Sequence, residues 1–260
     1  SRPILATKPL SQLFFTSSWN PIGGEFGFYP FIMGTLWVTG LAIILSVPIS
    51  LLTAIYLAEY APSKVRAAIK PLIDLLAGIP SIIYGIWGVI FVVPLIRIYV
   101  GPFVGATTTG YSVLAAGIVL AIMVFPIIIS VSEEVFRAVP FEIREASLSL
   151  GATKWQTVKH VVIRKALPGV IAAIILGFSR AFGETMAVLM VVGNIAKVPS
   201  SLLDPAYPLP ALIANNYGEM MSIPLYDSAL MLAALILLLV VALFSIASRV
   251  ILLRIERVSA

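Results

Sequence analysis

Five stretches of this chain are too long and too apolar for the surface of a water-soluble fold: roughly 34–58, 71–98, 111–132, 167–193 and 227–248. About 18 or more consecutive apolar residues are enough to cross a bilayer as a helix. Backbone polar groups have no water to turn to in oil, so such runs must pair their own N–H and C=O groups. The pattern predicts an all-α integral membrane protein, a polytopic helical bundle with five spans visible. Composition excludes the alternative. The chain is 60% hydrophobic and 11% charged, against about 45–50% and about 25% in soluble domains. A net charge of +5 would suggest nucleic acid in a soluble protein; here it belongs to loops that set orientation, and no nucleic-acid partner is expected. With no cysteine, a disulfide framework and thiol chemistry are excluded.

Lys64, Arg66, Lys70, Arg137, Arg144, Lys154, Lys159, Arg164, Lys165, Arg249, Arg254 and Arg257 fall in one alternating set of loops, and only Arg2, Lys8, Arg97 and Lys197 in the other. The first set is therefore expected in the cytoplasm, with residues 1–29 an external N-terminal segment and 30–258 the transmembrane domain. Aromatics in 1–29, among them Phe14, Phe15, Trp19, Phe26 and Phe28, suit a water–lipid interface. Glu59–Lys70 reads as a short loop. Pro48 is expected to kink the first span. Ala77–Gly88, AGIPSIIYGIWG, reads as a bent helix or a pair of short ones, its small residues serving either close helix packing or the lining of a passage. Leu209–Met221 is expected as a short helix at the outer membrane surface.

The longest charged interruption is the cytoplasmic loop 133–168. Pro140 and Gly151 bracket a short amphipathic helix over Phe141–Leu150, carrying Glu142, Arg144 and Glu145 beside Ile143, Leu148 and Leu150. Such a helix suits either a groove on another protein or the anionic leaflet.

Arg180 and Glu184 stand near the middle of the fourth run. A charge at the centre of a span costs about 2.5–3.5 kcal/mol on insertion scales and marks a functional candidate. At about 100° per residue, Ala173, Gly177, Arg180, Gly183, Glu184 and Ala187 share one side, opposite Ile171, Ile175, Phe178, Phe182 and Leu189. The small side would leave room before Arg180 for a small ion. Two readings stay open: the i,i+4 pair neutralises itself and pins helices, or Arg180 offers spare guanidinium donors to an oxyanion while Glu184 holds it until cargo arrives. His160, the single histidine, cannot by itself build a metal site, and no Walker-type loop is present.

Glu145-Ala146-Ser147, three residues, Gly151, then Leu167-Pro168 resembles the EAA loop of ABC importer permeases, E-A-A-x-x-x-G, nine residues, I-x-L-P. Ser147 replaces the second Ala, and Lys165 stands where Ile is usual. The resemblance implies a coupling helix, with Phe141, Glu142, Arg144, Glu145, Ala146 and Gly151 serving ATPase coupling. SRAFGETMAVLMVVGN (Ser179–Asn194) and IPSIIYGIWG (Ile79–Gly88) resemble motifs of phosphate-uptake permeases. Molybdate and sulfate permeases carry a related R-A-L-G-E-F-G-A string, from which Thr185-Met186 departs. Trp87 leans toward the first of the two permease subunits of phosphate systems. The resemblance implies a type I importer permease in a bacterial or archaeal plasma membrane, with Arg180, Glu184 and Thr185 on the substrate pathway. It implies a second homologous permease subunit, two cytoplasmic ATP-binding subunits and an external phosphate-binding protein as partners. No cofactor or metal is expected on this chain, since ATP and Mg²⁺ would sit on the ATPases. Family members carry one more N-terminal helix, so the first family helix is expected to be missing from a chain that opens Ser1-Arg2-Pro3. Two other classes fit less well: an intramembrane enzyme built on Glu184 lacks a second catalytic group, and a membrane scaffold needs neither a buried arginine nor the loop.

Overall fold

Apolar length decides where helices form, and packing decides where they stop. The computed structural model describes residues 3–4, 8–218, 223 and 225–259. Arg2, residues 219–221 and the side chains of Arg249, Arg254 and Arg257 lie outside what is described. The chain runs α1 (Leu10–Phe15), β1 (Trp19–Asn20), β2 (Glu25–Phe26), α2 (Tyr29–Tyr60), α3 (Ser63–Gly78), α4 (Ser81–Phe103), α5 (Val113–Arg137), α6 (Phe141–Ser149), α7 (Lys154–Phe182), α8 (Met186–Val191), α9 (Leu209–Asn216) and α10 (Tyr226–Ser259). Helices α2, α4, α5, α7 and the first part of α10 are each long and apolar enough to cross a membrane, matching the five expected spans. The chain packs as two units: Ser1–Ile43, Pro80–Ala121 and Ala181–Ala242 form the first, and Ile44–Ile79, Ile122–Arg180 and Leu243–Ala260 the second.

In the first unit, the antiparallel β1–β2 pair sets Trp19 opposite Phe26. Trp19 meets Phe31 edge-on at 4.7 Å between ring centroids and also touches Phe28 and Tyr226. Phe26, Phe28 and Phe31 are buried with Leu209, Leu212 and Leu230. Of the aromatics in 1–29, the hairpin turns Phe26 and Phe28 into the core with Trp19 against them, while Phe15 stays widely exposed, at 78%. Thr35 knits α2 to α9, its hydroxyl donating to the Phe31 carbonyl at 2.7 Å and accepting from the Leu209 N–H at 2.9 Å.

Proline and glycine shape α4. It starts after the Ile79–Pro80 break and widens into π-helical turns at Gly88–Val92 and Ile96–Val100. A Cβ on Gly88 would lie 2.7 Å from Val119 and 2.8 Å from Val191, and one on Gly85 would lie 3.2 Å from the Ala187 Cα. These two glycines serve close helix packing, the first of the two readings.

In the second unit, the expected loop Glu59–Lys70 is instead a helical corner. α2 ends in a π-helical turn, Tyr56–Tyr60, and α3 begins three residues later at Ser63. The charges of Lys64, Arg66 and Lys70 disguise the period Val65–Ile69–Ile73, which packs on Leu57, Phe125 and Ile129. Arg66 donates to the carbonyls of Leu57 (2.8 Å), Ala58 (3.4 Å) and Ala61 (3.5 Å), satisfying acceptors orphaned where α2 stops.

The fourth run also differs from expectation at both ends. α7 starts at Lys154 behind a reciprocal Thr153–Gln156 capping box and stops at Phe182. Its small face is filled: a Cβ on Gly177 would lie 2.7 Å from Ile128 Cγ1 and 3.0 Å from Val124 Cγ1, and Ala173 is fully buried. At Ala173 and Gly177 the small face packs against α5, because small residues admit a neighbouring helix as readily as a solute.

Candidate functional site

The bracketed loop helix appears as the residues dictate. Pro140, extended, precedes the first turn of α6, and Gly151 follows with φ of +84°, a backbone that glycine adopts without strain. Glu142 sits in the first turn, where a carboxylate suits the helix dipole. No residue of α6 is buried. Phe141 is 65% exposed and Leu150 89%, with Glu142, Glu145 and Ala146 also exposed. A nine-residue helix is too short to persist in water by itself, so side-chain ties must hold it.

Arg144 supplies most of them. Its guanidinium reaches Glu59 Oε1 from Nη2 at 2.8 Å and from Nε at 3.3 Å. Nη2 also donates to the Phe136 carbonyl at 2.7 Å, and Nη1 donates to the Val139 carbonyl. Both members are well covered, Arg144 at 15% and Glu59 at 9% exposure. Ser147 and Thr157 share a hydroxyl hydrogen bond of 2.9 Å, and Lys154 lies over the Tyr60 ring at 4.7 Å from its centroid. Beside them, buried Glu133 stands between Arg66 (3.9 Å) and Arg137 (3.8 Å). Arg144, expected among the coupling residues, is thus directed inward, while Phe141, Glu142, Glu145 and Ala146 face outward. Glu59 was missed from sequence. Its only signal was an acid at the end of an apolar run, in a stretch read as loop.

Arg180 lies in the last turn of α7 and is exposed, in line with exposed Leu176. Among the described residues it takes part in no ion pair. Glu184 and Thr185 fall in the break between α7 and α8, so no continuous helix carries the 180/184 spacing. Gly183 is a weak helix former, and Glu184 takes up a second use: its Oε1 accepts from the Ala187 N–H at 3.2 Å, capping the first turn of α8 with negative charge. Glu184 also borders a narrow cleft of about 10 Å³, lined by Thr35, Thr39, Leu120, Phe182 and Val188. Thr185 Oγ1 donates to the Gly183 carbonyl at 3.4 Å. No group of three or more His, Asp or Glu that could hold a metal occurs among the described residues.

Beyond α8 the chain turns through Gly193 (φ +94°) and Asn194 (φ +53°) into a loop closed by Asp204. Its Oδ2 accepts from Ser200 Oγ (2.7 Å), Ser200 N (2.9 Å) and Ser201 N (3.0 Å). These hydrogen bonds, the Ser200 hydroxyl first, hold the carboxyl below its ordinary value of 3.8. The loop therefore keeps this contribution in full above that value and loses it as pH falls through the lower folded-state pKa. Amide protection factors of residues 200–204 are expected to drop over that acid window, and Asp204→Asn is expected to remove the step. An acid step that persists in the variant would assign it elsewhere.

Over residues 46–257 the chain matches the family described as binding-protein-dependent transport system inner membrane component. It is 39% identical over 260 residues to the phosphate transport system permease protein PstC of Xylella fastidiosa (strain Temecula1), covering 95% of this chain and 80% of that one. It is 40% identical over 256 residues to PstC of Pasteurella multocida (strain Pm70), covering 93% and 79%. An inward-facing crystal structure of the MetNI methionine ABC transporter superposes with a TM-score of 0.63 at 23% identity, over 85% of this chain and 93% of its own. That likeness carries the fold, the helical bundle of an ABC importer permease. With five membrane-crossing helices and a family match across most of its length, the chain belongs to the binding-protein-dependent transport system inner membrane components.

Proposed function

We propose that this chain is the transmembrane subunit of an ATP-driven importer that moves inorganic phosphate across the plasma membrane by alternating access. Importer permeases work with a partner ATPase and a substrate-binding protein. The finer assembly proposed here is a second homologous permease, two cytoplasmic ATP-binding subunits and an external phosphate-binding protein. The chain is a conduit and hydrolyses nothing itself; ATP and Mg²⁺ belong to the ATPases. The observation that carries the reading is α6, a helix without a buried residue, tied down from behind and presenting Phe141, Glu145 and Leu150 outward. Its exposed apolar side chains fit a groove on the ATPase, and the outward Glu142 and Glu145 disfavour the anionic leaflet on which an interfacial helix would lie. Phosphate as cargo rests on the identity to PstC proteins over more than nine-tenths of the chain.

Arg180 is the proposed anion contact, and Glu184 and Thr185 are proposed as further residues of the substrate pathway. An exposed guanidinium with no carboxylate partner among the described residues keeps its donors for a tetrahedral oxyanion. The test is ATP hydrolysis by the reconstituted complex with each anion in turn. Phosphate is expected to stimulate it, with sulfate and molybdate inert. Stimulation by sulfate or molybdate instead would reassign the cargo, and indifference to all three would remove the importer reading.

A further inference from the structure

Four side-chain links converge on one π-helical turn. Tyr56–Tyr60 closes α2 with an Ala61 N–H to Tyr56 carbonyl bond of 2.8 Å, a turn one residue wider than the α-helix before it. Glu59 in this turn receives Arg144 from the middle of α6. Tyr60 receives Lys154 from the start of α7. The carbonyls of Leu57 and Ala58 receive Arg66 from α3. The turn thus receives side chains from α3, α6 and α7. π-turns inside α-helices are frequent at functional positions, because the extra residue lets the two flanking segments shift against each other.

We infer that Glu59 is a positioning residue for energy coupling: the Tyr56–Tyr60 turn is the joint through which movement of α6 is passed to the membrane-spanning part of α2, with Arg144–Glu59 as the link under load. The inference rests on the reading of α6 as the ATPase-coupling helix. Three features of the pair support it. Hydrogen bonds between ionised groups are short and about twice as strong as neutral ones. The pair is well covered, which weakens screening by salt. And Arg144 is simultaneously held by the Phe136 and Val139 carbonyls at the end of α5, so its guanidinium cannot swing free when α6 is pushed. α6 is further tied to α7 by the Ser147–Thr157 hydroxyl bond.

The experiment uses the whole complex in liposomes, with phosphate imported per ATP hydrolysed as the readout. Wild type is measured first: failure to couple hydrolysis to phosphate import would count against the importer reading and leave the joint unaddressed by any variant. In a complex that does couple, Glu59→Ala is expected to assemble and hydrolyse ATP while the phosphate-to-ATP ratio falls about tenfold, the size of a typical coupling energy. Glu59→Gln, which keeps an acceptor oxygen for Arg144, is expected to recover most of that ratio. A merely structural Glu59 would lower the yield of complex and leave the ratio of the assembled fraction unchanged; that result overturns the inference. Should Glu59→Ala block assembly, Tyr60→Leu decides, since it removes only the ring beneath Lys154. A lowered ratio supports the joint, and a wild-type ratio rejects it.

Discussion

Arg180→Ala is expected to abolish phosphate uptake by a complex that still assembles. The two halves of this expectation come from different physics. Arg180 lies in the exposed last turn of α7 and makes no ion pair among the described residues. Alanine therefore breaks no ion pair of the fold, so the complex should form in normal amounts. The anion loses charge-assisted hydrogen bonds, each contributing about 1.5–3 kcal/mol. One such bond corresponds to about 10- to 150-fold in occupancy, and a bidentate pair to more. Arg180→Lys separates charge from geometry: it keeps the cation but not the planar fork, and uptake should fall between wild type and alanine. The measurements are radiolabelled phosphate uptake by proteoliposomes and the yield of complex by size-exclusion chromatography. Unchanged uptake in the alanine variant would take Arg180 off the pathway. Lost assembly would instead make it a structural pin.

Some of this architecture was written locally, and some was not. The limits of α6 could be read because Pro140 and Gly151 act through their own backbone, whatever surrounds them. The five spans could be read for the same reason, since length and apolarity need no partner to be counted. Helix α3 could not, because Lys64, Arg66 and Lys70 look like a loop until Arg66 is seen filling the carbonyls of Leu57, Ala58 and Ala61. The stop at Phe182 was hidden too: hydropathy runs on smoothly through Met186–Val191, and only the use of Glu184 as a cap for that second helix shows why the chain breaks there. Small residues gave the least guidance. Gly177 and Ala173 suggested space, yet Ile128 and Val124 occupy it. Absence of a side chain states what a position permits and leaves open which neighbour takes advantage. In the candidate site, the helix that carries the proposed coupling residues was legible, but the direction of their side chains was not. Arg144 faces Glu59, a residue 85 positions away in the chain, and no local pattern could have paired them.

That inward turn of Arg144 sharpens the second large effect. Glu145→Lys is expected to release the ATPases from the membrane complex without harming the fold of the permease. Glu145 is exposed, and its carboxylate enters no ion pair among the described residues; the hydrogen bond it contributes within α6 is made by its backbone carbonyl, which accepts from Ser149 Oγ at 2.9 Å and survives any side-chain change. Lysine is as good a helix former as glutamate, so α6 keeps its shape and its Arg144 anchor. What changes is the face presented to the partner. Phe141 and Leu150 would supply buried apolar area there, whereas Glu145 at the centre would set charge complementarity. Disturbing a buried, hydrogen-bonded charge at an interface costs about 2–5 kcal/mol, or about 30-fold and upward in affinity. Pull-down of the ATPase on detergent-solubilised permease reads that loss directly, and ATP-driven phosphate uptake should fall with it. A Leu150→Ala control weakens docking through apolar area alone, so it should cost less affinity than Glu145→Lys. Retained ATPase binding by Glu145→Lys, with uptake intact, would place the docking surface somewhere other than the outward face of α6.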